Sequence, residues 1–279
     1  MKLTSHRYGK SRVRVMKIIR DGGTQTVKEL DVAVALEGDF ESSYTSGDNH
    51  LVVPTDTMKN TVNVLAQQHL GIETEPFAKT LARHFLARYP QVKIATVTAH
   101  ERVWDRLTIQ GAPHPHSFAN SQQARPFSMV TTTGDTTTTE SGVTDLLILK
   151  STGSGFAGFP RCELTTLPET HDRIFATSLT ATWTWRTEPA NYQSANRGIV
   201  AALLECFAVN YSPSVQTTMF QMGAAALEAC SEITRIHLAM PNKHCLLINL
   251  TPFGLENRNE VFLPTDEPHG QIEATVARD

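Results

Sequence analysis

Between positions 12 and 37 the chain alternates apolar and polar residues around Asp21-Gly22-Gly23. In the second arm Leu30, Val32, Val34 and Leu36 are interleaved with Asp31, Ala33, Ala35 and Glu37. That period of two predicts a β-hairpin with one buried face, its turn supplied by glycines that tolerate positive φ. The period then lengthens. Met58, Val62, Leu65 and His69 form the stripe of a helix expected over 57–70, capped by Thr55 or Asp56 and ended by Gly71. Phe77, Leu81 and Phe85 mark a second helix over 75–89, stopped by Pro90. Strands return at 92–106 and 117–133. The threonine-rich stretch 131–139 reads as strand plus loop, because β-branched residues suit a pleated sheet.

The second half follows the same order. A strand is expected over 143–150 and another over 177–186, with Leu179, Ala181, Trp183 and Trp185 on one face. A helix covers 194–208. The next is expected to start at Ser212-Pro213, with Val215, Met219, Met222 and Leu227 inward and an end near Cys230. Strands follow at 233–240 and 244–250. Both halves therefore read β-β-α-α-β-β. Hairpins and helix pairs segregated in this way indicate an α+β fold with antiparallel sheets, built as two tandem units over 1–140 and 141–279, and not a doubly wound parallel sheet.

Gly153, Gly155 and Gly158 fall in the spacing G-x-G-x-x-G after the apolar run Leu146-Leu147-Ile148-Leu149. A dinucleotide turn needs a helix N-terminus just past the glycines to hold the pyrophosphate. Here Phe159-Pro160-Arg161-Cys162 and then Pro168 follow, which leave no room for that helix. The expected structure is a flexible glycine loop presenting Phe156, an aromatic with little apolar context. Pro113-His114-Pro115-His116 resembles a metal tract, but the two imidazoles are expected to diverge, and no cysteine or carboxylate cluster supplies further ligands. No metal is expected. The 279 residues are 40% hydrophobic and 19% charged, with a formal net charge of −3. That balance suits a buried core and gives no electrostatic reason to expect nucleic acid or an anionic membrane as partner. The cysteines, at 162, 206, 230 and 245, form no C-x-x-C pair and are expected as free thiols.

Polar residues at the ends of elements remain: Lys10 just before the first strand, Thr55-Asp56 between an apolar run and a helix, Arg173 after Glu169-Thr170-His171-Asp172, Gln216 in the first turn of a helix beside Val215, and Asn242 and His244 around Lys243. Element ends let side chains converge on a pocket without disturbing a core. Taken singly, each has an ordinary structural role as cap, solvated charge or strand start.

Together these segments resemble the urate oxidase (uricase) family. The matching pieces are Tyr8-Gly9-Lys10, Leu36-Glu37-Gly38, Ser43-Tyr44-Thr45, Thr55-Asp56 with Lys59-Asn60-Thr61, His114-Pro115-His116-Ser117-Phe118, Leu149-Lys150-Ser151-Thr152, Phe156 with Gly158-Phe159, Asp172-Arg173, Ala181-Thr182-Trp183, Ser214-Val215-Gln216 and Pro241-Asn242-Lys243-His244. They are collinear over nearly the whole chain. The resemblance implies the tunnelling fold (T-fold), two β-β-α-α-β-β units per chain that assemble into a β-barrel tunnel. It implies oxidation of urate by O2 and water to 5-hydroxyisourate and hydrogen peroxide with no cofactor. It also implies a homotetramer with sites at subunit interfaces. By similarity, Arg173, Gln216 and the Val215 N–H grip urate and Phe156 stacks on it. Thr55 and Asp56 come from a neighbouring subunit, Lys10, Thr55 and His244 relay protons, and Asn242 holds O2 or water. The amide and guanidinium suit the edge of a planar anion. A hydrolytic or non-catalytic purine- or pterin-binding T-fold protein is the rival reading. Peroxisomal members of the family carry a Ser-Lys-Leu type ending, and this chain ends Val276-Ala277-Arg278-Asp279, so a cytoplasmic location is expected.

Overall fold

The computed structural model describes residues 1–120 and 123–279. The chain divides into two compact units, one formed by Met1–Gly142 with Thr184–Ser194, the other by Val143–Trp183 with Ala195–Asp279.

In the first unit β1 (Tyr8–Asp21) and β2 (Thr24–Gly38) form the expected hairpin. A short helix α1 (Glu41–Thr45), then α2 (Thr55–His69) and α3 (Thr74–Arg88), lead to β3 (Val92–Arg102). A two-stranded ribbon of β4 (Asp105–Ile109) and β5 (Ala112–Ala119) precedes β6 (Arg125–Thr133) and the start of β7 (Thr136–Lys150). Strands β1, β2, β3 and β6 pair in that order, all antiparallel. The 92–106 strand expected from sequence breaks between β3 and β4, and the 117–133 strand divides between β5 and β6. The threonine-rich stretch is the β6–β7 turn, made at Gly134 with φ +55°.

Leu30, Val32, Val34 and Leu36 are each at most 1% exposed. They face α2 and α3 and meet Met58, Val62, Phe77, Leu81 and Phe85 in a single apolar cluster. Each such side chain contributes roughly 1.5–3 kcal/mol by leaving water. Two local expectations are corrected. Helix α2 begins two residues early with Pro54 at its cap position, so Thr55 and Asp56 lie in its first turn and neither caps it. Asp56 instead accepts from Lys59 Nζ at 2.5 Å and Asn60 Nδ2 at 2.9 Å, and its charge suits the positive end of the helix. His69 is exposed, and Leu70 takes the buried place.

The inner side of α3 also carries charge. Lys79 Nζ donates to Glu188 at 2.5 Å and to the Tyr192 hydroxyl at 2.7 Å. Ser141 Oγ donates to Glu75 at 2.5 Å and accepts from Trp185 Nε1 at 2.8 Å. Burial pushes the Tyr192 phenol well up, and the nearby Glu188, Glu75 and Glu73 add to it.

The second unit holds the rest of β7, β8 (Phe175–Trp185), α4 (Tyr192–Val209), α5 (Val215–Ala229), β9 (Ile233–Ala239), β10 (Asn242–Leu247), β11 (Phe262–Gly270) and β12 (Glu273–Ala277). β9 and β10 both pair with β8, while β12 lies against β9 and β11 against β10. Leu179, Ala181 and Trp183 are buried on β8 as expected. Strands β11 and β12 were not foreseen, and they revise the repeat. The partner of β9 is β12, as β6 is the partner of β3, and the β10–β11 ribbon is inserted where the first unit inserts β4–β5. Helix α5 packs on β12 so closely that a Cβ on Gly223 would lie 2.5 Å from Val276. The overall class is α+β with antiparallel sheets. All four cysteines are free, with Cys206 and Cys230 buried.

Phe77→Ala should cost about 3–5 kcal/mol in urea unfolding, because Phe77 has no exposed surface. Val64→Ala, on the exposed side of α2 at 55%, should stay within about 0.5 kcal/mol.

Candidate active site

The glycine spacing builds a clip rather than a nucleotide turn. No helix follows it. Phe156 and Thr170 exchange main-chain bonds, Phe156 N to Thr170 O at 2.7 Å and Thr170 N to Phe156 O at 3.0 Å. Arg173 N donates to Ser154 O at 2.8 Å. Asp172 accepts from Thr152 Oγ1 at 2.8 Å and from Gly153 N at 2.9 Å. Segments 152–156 and 170–173 are thus laced together. The clip is then tied to the chain entering α5, through Gly155 N to Ser212 O at 2.8 Å and Ser212 N to Gly153 O at 2.9 Å. Gly155 is needed for this closeness, since a Cβ there would lie 2.4 Å from the Tyr211 hydroxyl and 2.9 Å from Thr170 O.

Two expectations change here. The cap of α5 is Ser214, whose Oγ accepts from Thr217 N at 3.1 Å. Ser212 serves the clip instead, so the helix starts at Val215. Phe156 is also not isolated in a flexible loop. Its ring stacks on Phe159 with centroids 4.9 Å apart and planes at 13°. The Arg161 guanidinium lies 5.4 Å from the Phe159 ring and that of Arg173 lies 5.6 Å from the Phe156 ring.

Arg173 makes no side-chain hydrogen bond or ion pair among the described residues, and its Nε is buried without a partner. Burial lowers its pKa, against a small opposing effect of Tyr211. Next to it begins α5, where the N–H groups of Val215 and Gln216 have no acceptor within the helix. Val215 is buried and Gln216 exposed. A guanidinium without an ion pair and a helix N-terminus without acceptors are both groups that an anion satisfies. Asn242 and His244, both half-buried, open β10. Asn242 faces Thr177 and Lys243 faces Ala176, so the start of β10 runs beside the start of β8, two residues after Arg173.

Lys10, Thr55 and Asp56 belong to the first unit. Lys10 does not precede the first strand but lies within β1, paired with Val34 just before a bulge and half-buried, because the strand starts at Tyr8. Its charge helps hold the Asp56 carboxyl below the usual range, after the larger effect of Lys59. Thr55 stands next to Asp56 in the first turn of α2. Each unit therefore collects its own share of the candidates. Sequence reading missed the supports Ser154, Thr170, Tyr211 and Ser212, which carry no motif. The one available signal was Gly155, a glycine without positive φ, whose reason is close packing. The His114–His116 expectation fails. The residues sit two apart on β5, which puts them on one side, with rings 4.5 Å apart. Among the described residues no group of three His, Cys, Asp or Glu side chains is placed to hold a metal ion.

A tandem pair of β-β-α-α-β-β units, with an unpaired arginine held by a clip in the second, defines the class: an α+β enzyme of the tunnelling fold. The family model described as Uricase matches residues 6–131 and 139–273, and the chain belongs to the uricase family. The uricase of Arthrobacter globiformis is 39% identical over 277 residues, covering 99% of this chain and 90% of that protein. That of Schizosaccharomyces pombe is 40% identical, covering 97% and 96%. The crystal structure of the Arthrobacter globiformis uricase superposes with a TM-score of 0.94 at 39% identity, covering 100% of this chain and 96% of that one.

Gly155→Ala should cost about 1–3 kcal/mol by overpacking the clip. Removing the clashing hydroxyl in Gly155→Ala/Tyr211→Phe should recover part of that, as read by thermal unfolding of both variants.

Proposed function

We propose that the protein oxidises urate with O2 and water to 5-hydroxyisourate and hydrogen peroxide, needing no metal or organic cofactor. The observation that carries this reading is the half-buried Arg173, whose Nε is buried without a partner, whose side chain makes no ion pair among the described residues, and whose clip is bonded to the chain entering α5. Urate is a flat anion with acceptors on its rim. Arg173 offers it a planar fork, the Gln216 amide both donates and accepts, and the Val215 N–H adds a third contact. Phe156 stacks on the ring, contributing on the order of 1 kcal/mol beyond its burial.

Chemistry begins with a second proton. Lys10 takes it from the urate monoanion through the Thr55 hydroxyl, and His244 receives or returns it. The dianion is electron-rich enough to reduce O2 directly. Asn242 holds O2 above the ring and then the water that adds to the oxidised carbon. Atoms balance: urate, O2 and water give the hydroxylated product and one peroxide. Thr55 and Asp56 are supplied to each site by a neighbouring copy, which makes the working form a homotetramer. Support comes from the proximity of Lys10 and Asp56 in the first unit and from the family to which the chain belongs.

Chelator-treated protein should consume urate, followed by loss of its near-ultraviolet absorbance, with one peroxide per urate. Activity that vanishes on metal removal and returns with metal overturns the cofactor-free reading, and binding without turnover favours a non-catalytic purine-binding protein. Lys10→Met should lower kcat by roughly 10²–10⁴ and leave urate binding measurable by calorimetry. Retention of the unmodified rate at neutral pH removes Lys10 from the relay.

A further inference from the structure

The sheet of the first unit has a second face, turned away from α2 and α3. Glu29 and Asp31 on β2 alternate with the buried Leu30 and Val32 and so belong to it. This face carries an open cleft of about 510 Å³ lined by Arg12, Arg14, Arg102, Arg125, Asp31 and Asn120, among others. Four guanidinium groups thus gather around one carboxylate at the lining and one beneath it.

The carboxylate beneath is Glu29, 5% exposed. It accepts from Arg14 at 2.5 Å and Trp104 Nε1 at 2.8 Å, with Arg102 at 3.7 Å. Burial alone would raise its pKa, but Arg14, Trp104 and Arg102 together hold it below the usual range. It is therefore a fixed anion that orients two arginines. Arg12 and Arg125 have no hydrogen bond or ion pair among the described residues. With Glu29 and Asp31 counted, the cleft keeps two uncompensated positive charges.

Two features of the backbone make this arrangement unfavourable in isolation. Arg12 adopts φ +56° at the bulge in β1, a conformation that disfavours side chains with a Cβ. Arg102 ends β3 and Arg125 opens the neighbouring strand β6, and both line the cleft, where like charges repel. A bound dianion would relieve the repulsion, and arginine forks match phosphate oxygens.

We propose that this cleft binds a phosphate dianion, either free phosphate or the phosphate of a small ester, at a site separate from the clip around Arg173. The volume exceeds what a bare phosphate needs and lies within the range of small-molecule pockets. The site lies wholly in the first unit and does not depend on the reaction assigned to the protein.

The test is calorimetric titration of the full chain in its native assembly at low ionic strength, with inorganic phosphate and AMP as probes. Saturable binding of at least one probe is expected, weakened about tenfold or more by Arg125→Gln and by Arg12→Gln. Arg125→Lys should retain part of the affinity, since lysine keeps the charge without the fork. AMP binding about tenfold tighter than phosphate would identify an ester as the ligand, and equal affinities would identify free phosphate. Binding must persist in Arg173→Gln, which separates this cleft from the arginine of the clip. No saturable heat with either probe, affinity unchanged in both cleft variants, or loss of binding in Arg173→Gln each overturns the proposal.

Discussion

The second unit carries a half-buried guanidinium, its Nε out of water, with no carboxylate bonded to it. A buried donor without an acceptor is costly in a folded chain, because its lost hydration is not replaced. Arg173 retains its position because its main-chain N–H is bonded to Ser154, and Ser154 belongs to a clip anchored at Ser212. The surroundings of the side chain are aromatic: the Phe156 ring lies beneath it and Phe159 stacks on that ring. An aromatic face offers partial compensation to a cation, but it leaves the hydrogen-bonding edge of the guanidinium unused. The free N–H groups at the start of α5 lie in the same region with the same lack of acceptors. In the proposed function, one ligand that is negative, planar and rich in acceptors meets both deficits.

Topology explains how such a place arises twice over in a short chain. Each unit reads strand, strand, helix, helix, strand, strand, with the short α1 added in the first and a ribbon inserted before the last strand of both. In the first unit the insertion is β4–β5, and in the second it is β10–β11. The core pairs, β3 with β6 and β9 with β12, remain the buried frame. The candidate residues lie at the edges of that frame, with Asn242 and His244 at the root of an inserted ribbon and Thr55 and Asp56 in the first turn of a helix. Residues at these places can change without disturbing Leu30, Val32 or Phe77, whose burial holds the layers together.

The parts of this architecture visible in sequence are those with a period. The alternation through Leu36, the stripes through Phe85 and Met222, and the Trp183 face of β8 all lie where their spacing puts them. What was not legible lacked period or ran against it. β11 contains Pro264 and Pro268 and few apolar residues, so nothing in its spacing announces a strand. Glu75 and Lys79 look like the wet side of α3, yet they are buried because Ser141, Glu188 and Tyr192 satisfy them from far along the chain. Thr55 and Asp56 have the composition of caps, and only the extended backbone of Pro54 decides that the helix begins before them. The candidate residues themselves were found by their order and likeness to a family, and their geometry required the fold.

The clip also shows why main-chain bonding is the suitable way to hold a charged receptor. If Arg173 were positioned by an acidic side chain, that acid would neutralise it and compete with any anion. Bonds from Gly155, Phe156, Thr170 and Ser212 fix the backbone without placing a charge near the guanidinium. Asp172, the adjacent acid, is occupied by Thr152 and by the Gly153 N–H, so it braces the clip while making no bond to its neighbour's side chain. The first unit solves the same problem differently. There Glu29 is spent on orienting Arg14 and Arg102, and the surplus charge is carried by Arg12 and Arg125. A receptor built by main-chain lacing keeps its full positive charge at one point, whereas one built on a buried carboxylate must recruit extra arginines to remain positive. The number of arginines at each place follows from that difference.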